Sequence, residues 1–265
     1  MARAVTVTYR VWKTPAEVAA AAAELFTSTA ADAVSRRGEA RIAISGGTTP
    51  KAMFALLADP SAPYFARVPW SQLQLFWVDE RCVPPTDADS NYRMTNEAML
   101  SKVPLPAAQI HRMEGELEPE IAALRYEAAL RIAFRLEGAE TPVFDLVLLG
   151  MGDDGHTASL FPHTAALEEI TKLVTANHVP QKDTWRITLT GPVINAARSV
   201  AFLIEGAAKA DPLHQVLQGP RDFATYPSQL IRPNSGALTF LLDAAAASKL
   251  PAPADSSNTA TLELA

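Results

Sequence analysis

Among five histidines, His156 has the setting of a reactive group. In "DLVLLGMGDDGHTASLFP", Asp145 to Pro162, a run of large apolar residues ends at Gly150, Met151 and Gly152, two aspartates follow, and His156 comes directly after Gly155. Free imidazole titrates at about pH 6.5, so at neutral pH it can take a proton from water, and a carboxylate on its other nitrogen fixes the tautomer. Asp153 or Asp154 is placed to act as that carboxylate. A buried or surface histidine without chemistry is the plainer alternative.

Two further loops carry groups that suit an oxyanion. "SGGTTP" sets Ser45, Gly46, Gly47, Thr48 and Thr49 before Pro50. Paired glycines let a ligand approach the backbone, hydroxyls add donors, and a following helix N-terminus offers unpaired N–H groups. The same glycines would also serve an ordinary tight turn. "DERCVPP" sets Asp79, Glu80 and Arg81 at the end of an apolar stretch. Guanidinium geometry suits a substrate oxygen, while a solvated local ion pair is the alternative. Arg186 in "WRITLT" and Lys209 in "EGAAKA" each read as surface charge alone. Together with the glycine cradle they would supply the cations a phosphate requires.

Other chemistries fit less well. A Ser-His-Asp triad with Ser45 or Ser159 lacks the G-x-S-x-G elbow. A metal site from His156, His163 and an aspartate has a seven-residue histidine separation that matches no metal-binding helix pattern. "SGGTTP" is neither a Walker A loop nor a G-x-G-x-x-G fingerprint, so the sequence calls for no nucleotide, metal or other cofactor.

The elements that must hold these loops alternate. Thr14, Pro15 and Glu17 form a capping box ahead of an alanine-rich segment that Gly38 terminates, which predicts a helix after the β-like start at Val5 to Val11. "ARIAIS" predicts a strand running into the cradle and then a helix from about Pro50 to Leu57. "LQLFWV" predicts a buried strand, and a helix is expected near Ser90 or Asn91. After Pro119, Ile121, Leu124, Ala128 and Ile132 share one helical face. "FDLVLL", "RITLT", "VAFLIE" and "ALTFLLD" predict further strands. The expectation is an α/β fold: a three-layer, Rossmann-like domain with a mostly parallel sheet and helices on both faces, its ligand site at the carboxyl ends of the strands. Residues 1–250 are expected to form one domain, with the tail from Pro251 only loosely ordered.

Composition narrows the partners. A net charge of -6 argues against a general nucleic-acid surface. One cysteine, Cys82, allows no intrachain disulfide and no paired-cysteine zinc site. The start "MARAVTVTYRVWKTP" does not resemble a signal peptide, and no apolar run approaches the ~18 residues that span a bilayer. A cytoplasmic protein without membrane contact is expected, with a monomer plausible.

In this order the loops resemble the 6-phosphogluconolactonase family, within the group that also contains glucosamine-6-phosphate deaminase. The matching pieces are "SGGTTP", "WVDERCVPPTDADSNYRM", "DLVLLGMGDDGHTASLFP", "RITLT" followed by "INAAR", and "EGAAKA", from about residue 40 to 210. The resemblance implies a cofactor-independent hydrolase that opens 6-phospho-D-glucono-1,5-lactone to 6-phosphogluconate. It implies His156 as general base, Arg81 beside the reacting carboxyl end, and Gly46, Gly47, Thr48, Arg186 and Lys209 at phosphate-side positions. Asp79 and Asp154 match acidic positions of the wider group. A deaminase/isomerase is the nearest alternative, but Phe161 stands where that cousin has an acid five residues after the histidine. A noncatalytic phosphosugar sensor is a second alternative, for which the chain offers no DNA-reading module.

Overall fold

The computed structural model describes residues 5–253 and 258–264. In chain order the strands and α-helices are β1 (Val5–Trp12), α1 (Pro15–Arg37), β2 (Ala40–Ile44), α2 (Thr48–Leu57), β3 (Leu73–Trp77), β4 (Asp79–Arg81), α3 (Asn91–Ala98), β5 (Ile110–His111) and α4 (Pro119–Phe134), followed by β6 (Leu146–Leu149), β7 (Val174–Val179), β8 (Thr184–Leu189), α5 (Gly191–Asn195), β9 (Ser199–Ile204), α6 (Ala210–Gln218), β10 (Ala237–Asp243) and β11 (Thr259–Leu264). Eight strands form one sheet in the order β11-β1-β10-β9-β6-β2-β3-β5, parallel throughout except for β11. A second, antiparallel sheet of β4, β8 and β7 stands beside its carboxyl edge.

The central strands read as unbroken apolar runs because both faces of the sheet are covered. Ile42, Ile44, Leu75, Trp77, Leu146 and Leu148 pack into one core with α1 and α2, while their neighbours Ala43, Phe76, Val147 and Leu149 enter the other, beside α4. The Thr14–Glu17 capping box and the left-handed Gly38 terminus of α1 are present. Ser90 caps α3 through a bond from the Arg93 N–H.

Four expectations need correction. "RITLT" is β8, which pairs antiparallel with β7 and β4 outside the parallel sheet, and the first three residues of "DERCVPP" are strand rather than loop. The tail is not loosely ordered over 259–264: its alternating T-A-T-L-E-L pairs along β1 and closes that sheet edge. The helix face of Ile121, Leu124, Ala128 and Ile132 points outward. Instead α4 buries Ala122, Ala123, Tyr126, Leu130 and Phe134, because the Tyr126 hydroxyl accepts from the Trp77 N–H at 2.9 Å and donates to the Trp77 carbonyl at 3.0 Å. The alanines on that side permit the close approach.

Candidate active site

The predicted loops converge at the carboxyl ends of β2, β3, β6 and β9, as open parallel sheets dictate. They line a cavity of about 360 Å³ that takes in Ser45 to Thr49, Asp79, Arg81, His156, Arg186 and Lys209. Asp153 and Asp154 belong to the His156 turn at its edge.

The His156 turn is closed upon itself. The Gly152 N–H donates to the His156 carbonyl at 2.9 Å, Gly155 N–H to the Gly152 carbonyl at 3.0 Å, and the Thr157 hydroxyl to the Gly150 carbonyl at 2.8 Å. Ser228, far along the chain, grips the same turn by donating its N–H and hydroxyl to the Gly155 carbonyl at 2.9 and 2.8 Å. Gly155 has a φ of +75° and lies against Tyr226, a place for glycine alone.

Two contacts fix the imidazole. Its Nδ1 lies 2.5 Å from Asp154 Oδ1, which also accepts from the His156 N–H at 3.1 Å. Its ring stacks on buried Phe161, with centroids 3.9 Å apart. Burial alone would raise the Asp154 carboxyl, but the His156 side-chain hydrogen bond, the imidazole charge and backbone donors hold it below the usual carboxylate value. An ionised Asp154 accepts only, so Nδ1 carries a proton, and in the neutral imidazole it is then Nε2 that presents the lone pair. Of the two candidate orienting acids the geometry selects Asp154; Asp153 instead pairs with Lys209 Nζ at 2.5 Å, tying that lysine to the histidine turn.

At the cradle, Gly47 is the N-cap of α2 and offers no side-chain cap, so the first N–H groups of the helix remain available. Gly46 has no room for a Cβ, which would overlap the Asn91 amide. Asn91 Nδ2 in turn donates to the Asp79 carbonyl at 2.9 Å, which joins the cradle to β4. The Asp79 carboxylate is buried and accepts from Ser159 Oγ at 2.7 Å. Both oxygens of Glu80 are occupied: Oε1 accepts from the Arg81 and Asn91 N–H groups at 2.8 and 2.7 Å, and Oε2 from Tyr92 N–H and Ser90 Oγ at 2.8 and 3.1 Å. Burial raises the Glu80 carboxyl despite these donors. Glu80 therefore anchors the loop between Arg81 and α3.

Arg81 and Arg186 are register partners across β4 and β8. Burial first, and then the Arg81 charge, lowers the Arg186 guanidinium from its ordinary value. Placing Arg81 at the reacting end and Arg186 at the phosphate end separates two groups that the strand pairing sets side by side. Arg186 Nε and Nη1, Ser45 Oγ and Glu205 Oε1 are buried around this cavity with no hydrogen-bond partner among the described residues.

Sequence reasoning missed Asn91, Lys182 and Glu205 as cavity residues. Asn91 reads as part of a helix start, and Lys182 sits on the tip between β7 and β8. Glu205 precedes the glycine of "EGAAKA", where burial raises its carboxyl against a bond from Thr49, with Asp243 raising it further. No histidine–serine hydrogen bond occurs among the described residues, and no cluster of three His, Cys, Asp or Glu able to hold a metal is found there.

The open parallel α/β domain brings an oriented imidazole, an uncapped helix N-terminus and two register-matched arginines to one cavity, the makings of an enzyme site that takes an anionic ligand. The sequence profile for glucosamine-6-phosphate isomerases/6-phosphogluconolactonase matches residues 13–240, and the chain belongs to that family. It is 43% identical over 219 residues to a 6-phosphogluconolactonase of Synechocystis sp., covering 82% of this chain and 88% of that one. The solved devB protein is 36% identical with a TM-score of 0.84, covering 92% of this chain and all of the other, 100%. The 6-phosphogluconolactonase of Trypanosoma brucei is 30% identical with a TM-score of 0.78, covering 93% and 100%.

Proposed function

We propose that this chain hydrolyses 6-phospho-D-glucono-1,5-lactone to 6-phospho-D-gluconate, the second step of the oxidative pentose phosphate pathway, with His156 moving the proton. The observation that carries the reading is the Nδ1 bond of His156 to Asp154, which leaves Nε2 as a base within the cavity. Water attacks C1 as Nε2 takes its proton, and the carbonyl oxygen becomes an oxyanion. Collapse breaks the bond from C1 to the ring oxygen, and His156 returns the proton to that departing oxygen. Backbone N–H groups of the glycine turns serve the oxyanion.

The phosphate then belongs to the cradle of Ser45, Gly46, Gly47 and Thr48 with Arg186, and Arg81 joins it by virtue of the β4–β8 register. Lys209 adds a further charge to the same cavity, shared with Asp153. Asp79 braces Ser159 of the histidine loop and the Asn91 wall. The direct test follows acid release from freshly made lactone in a coupled assay, spontaneous opening subtracted; absence of enzyme-dependent release defeats the proposal.

Phosphate contacts remote from C1 act alike on ground and transition states, so their loss falls on KM. Arg186→Ala is expected to raise KM roughly ten- to a hundredfold, the worth of one charged hydrogen bond, with a smaller fall in kcat. Lys209→Ala should do the same more weakly. Unchanged KM in both variants overturns the phosphate assignment.

The donor sets suit proton transfer and anion binding rather than metal ligation. Exhaustive chelation is expected to leave turnover intact, and a loss restored by added zinc is the contrary result. No helix among the described residues is long and apolar enough to cross a membrane.

A further inference from the structure

The outward stripe of α4 has no role in the fold or site described above. Ile121 is 50% exposed, Leu124 64% and Ile132 78%, with exposed Ala128 between them, all on one side of a 16-residue helix. The opposite side of α4 already supplies its core contact through Tyr126, Leu130 and Phe134. Three large apolar side chains in one helical row are unlike singly scattered surface hydrophobics, and a row of this kind marks an association surface.

We propose that this face docks a second copy of this chain, α4 against α4 in antiparallel sense across a twofold axis. Two observations select that occupant. The first is the order of side-chain sizes. Reversing the helix about Tyr126 sets Leu124 level with the partner's Ala128 and brings Ile121 within one residue of the level of the partner's Ile132. Large then meets small at the centre, which lets the two rows interdigitate, as helix pairing at 8–10 Å requires. A twofold contact needs such a self-complementary surface.

The second is charge. The helix opens with Glu118 and Glu120 and closes with Arg131 and Arg135. Antiparallel pairing brings each acidic end to the partner's basic end, whereas parallel pairing would oppose like charges. In the helical projection Glu120 and Arg131 flank the stripe on the same side, which a twofold axis across the helices keeps facing. Glu120 is exposed and has no hydrogen bond or ion pair among the described residues, so it is available to a partner. Arg131 is held by Glu127 at 2.9 Å, which fixes its position beside the row.

One helix pair is small beside standard interfaces, so the dimer is a weak one, with a dissociation constant on the order of 10 µM. Sedimentation of the full chain from ~1 to ~200 µM brackets that value. The average mass should climb from one chain toward two over this range. Leu124→Glu brings two buried charges, one from each chain, into the contact, and should weaken association by at least ~100-fold while turnover per chain is unchanged. Glu120→Arg, at an exposed position that folding does not use, should weaken it several-fold and reverse the salt dependence of what remains. A wild-type chain that stays monomeric to ~200 µM overturns the proposal, even if the stripe then binds some other protein. So does a dimer that Leu124→Glu leaves intact, because its interface must lie elsewhere.

Discussion

His156→Ala is expected to lower kcat by a factor on the order of 10² to 10⁴, the usual worth of a positioned acid–base group. KM for the phosphorylated lactone should change little, since the cradle and arginines do not touch the imidazole in the described contacts. Folding should survive, because the ring is partly exposed and Asp154, more exposed still, regains water when its partner is removed. A histidine with only a structural role predicts the reverse order: melting temperature falls first, and turnover per folded molecule persists. Asp154→Asn provides the companion measurement. Its amide can donate to Nδ1, which would favour the tautomer with the proton on Nε2 and deprive the site of its base. Because its hydrogen bond to His156 holds the Asp154 carboxyl low against the effect of burial, Asp154 stays ionised across the neutral range. Short reaction times at mildly acidic to neutral pH keep spontaneous opening small. Near wild-type turnover in a folded His156→Ala protein removes this residue from the mechanism.

The sequence was most legible where one interaction dominates. The α1 capping box is local, and the strands before the three loops are apolar on both faces, so neither needs knowledge of distant partners. That the reactive loops meet at one sheet edge follows from parallel topology. What escaped was set by long-range pairing. β4 is three residues long, and its partnership with β8 decides that Arg81 and Arg186 stand together, a register that periodicity does not reveal. The rotation of α4 was decided by the Tyr126 hydroxyl reaching Trp77, 49 residues away, against a wider row of Ile and Leu that has the greater apolar signal. β11 carries few large apolar residues, and its place comes from backbone pairing to the edge strand β1. Ser228 could not be connected with His156 from sequence, since it acts on the carbonyl of Gly155 across 73 residues.

Gly152→Ala offers a test of orientation that leaves every ionisable group in place. The φ of Gly152 is not in the left-handed region, so alanine can adopt its backbone conformation and the chain should fold with slightly less entropy to lose. The added methyl, however, would overlap His156 Nδ1 and Cε1 and Asp154 Oδ1, the two partners of the orienting bond. One of them must move, and because Phe161 blocks a face of the ring, relief comes by swinging the imidazole out of line or breaking its bond to Asp154. A displacement of about 1 Å in a catalytic group costs on the order of 10²-fold, so kcat should drop by about that factor, with little loss of thermal stability. Gly150→Ala is the contrast within the same turn. Nothing in the protein lies within 4 Å of its added Cβ, although Gly150 lines the cavity, so any effect there must come through the substrate and appear in KM. Turnover in Gly152→Ala equal to wild type would mean that the Asp154-bound position of His156 is not the working one. A crystal structure of the variant, read for the His156 side-chain torsions, then shows where the ring has gone.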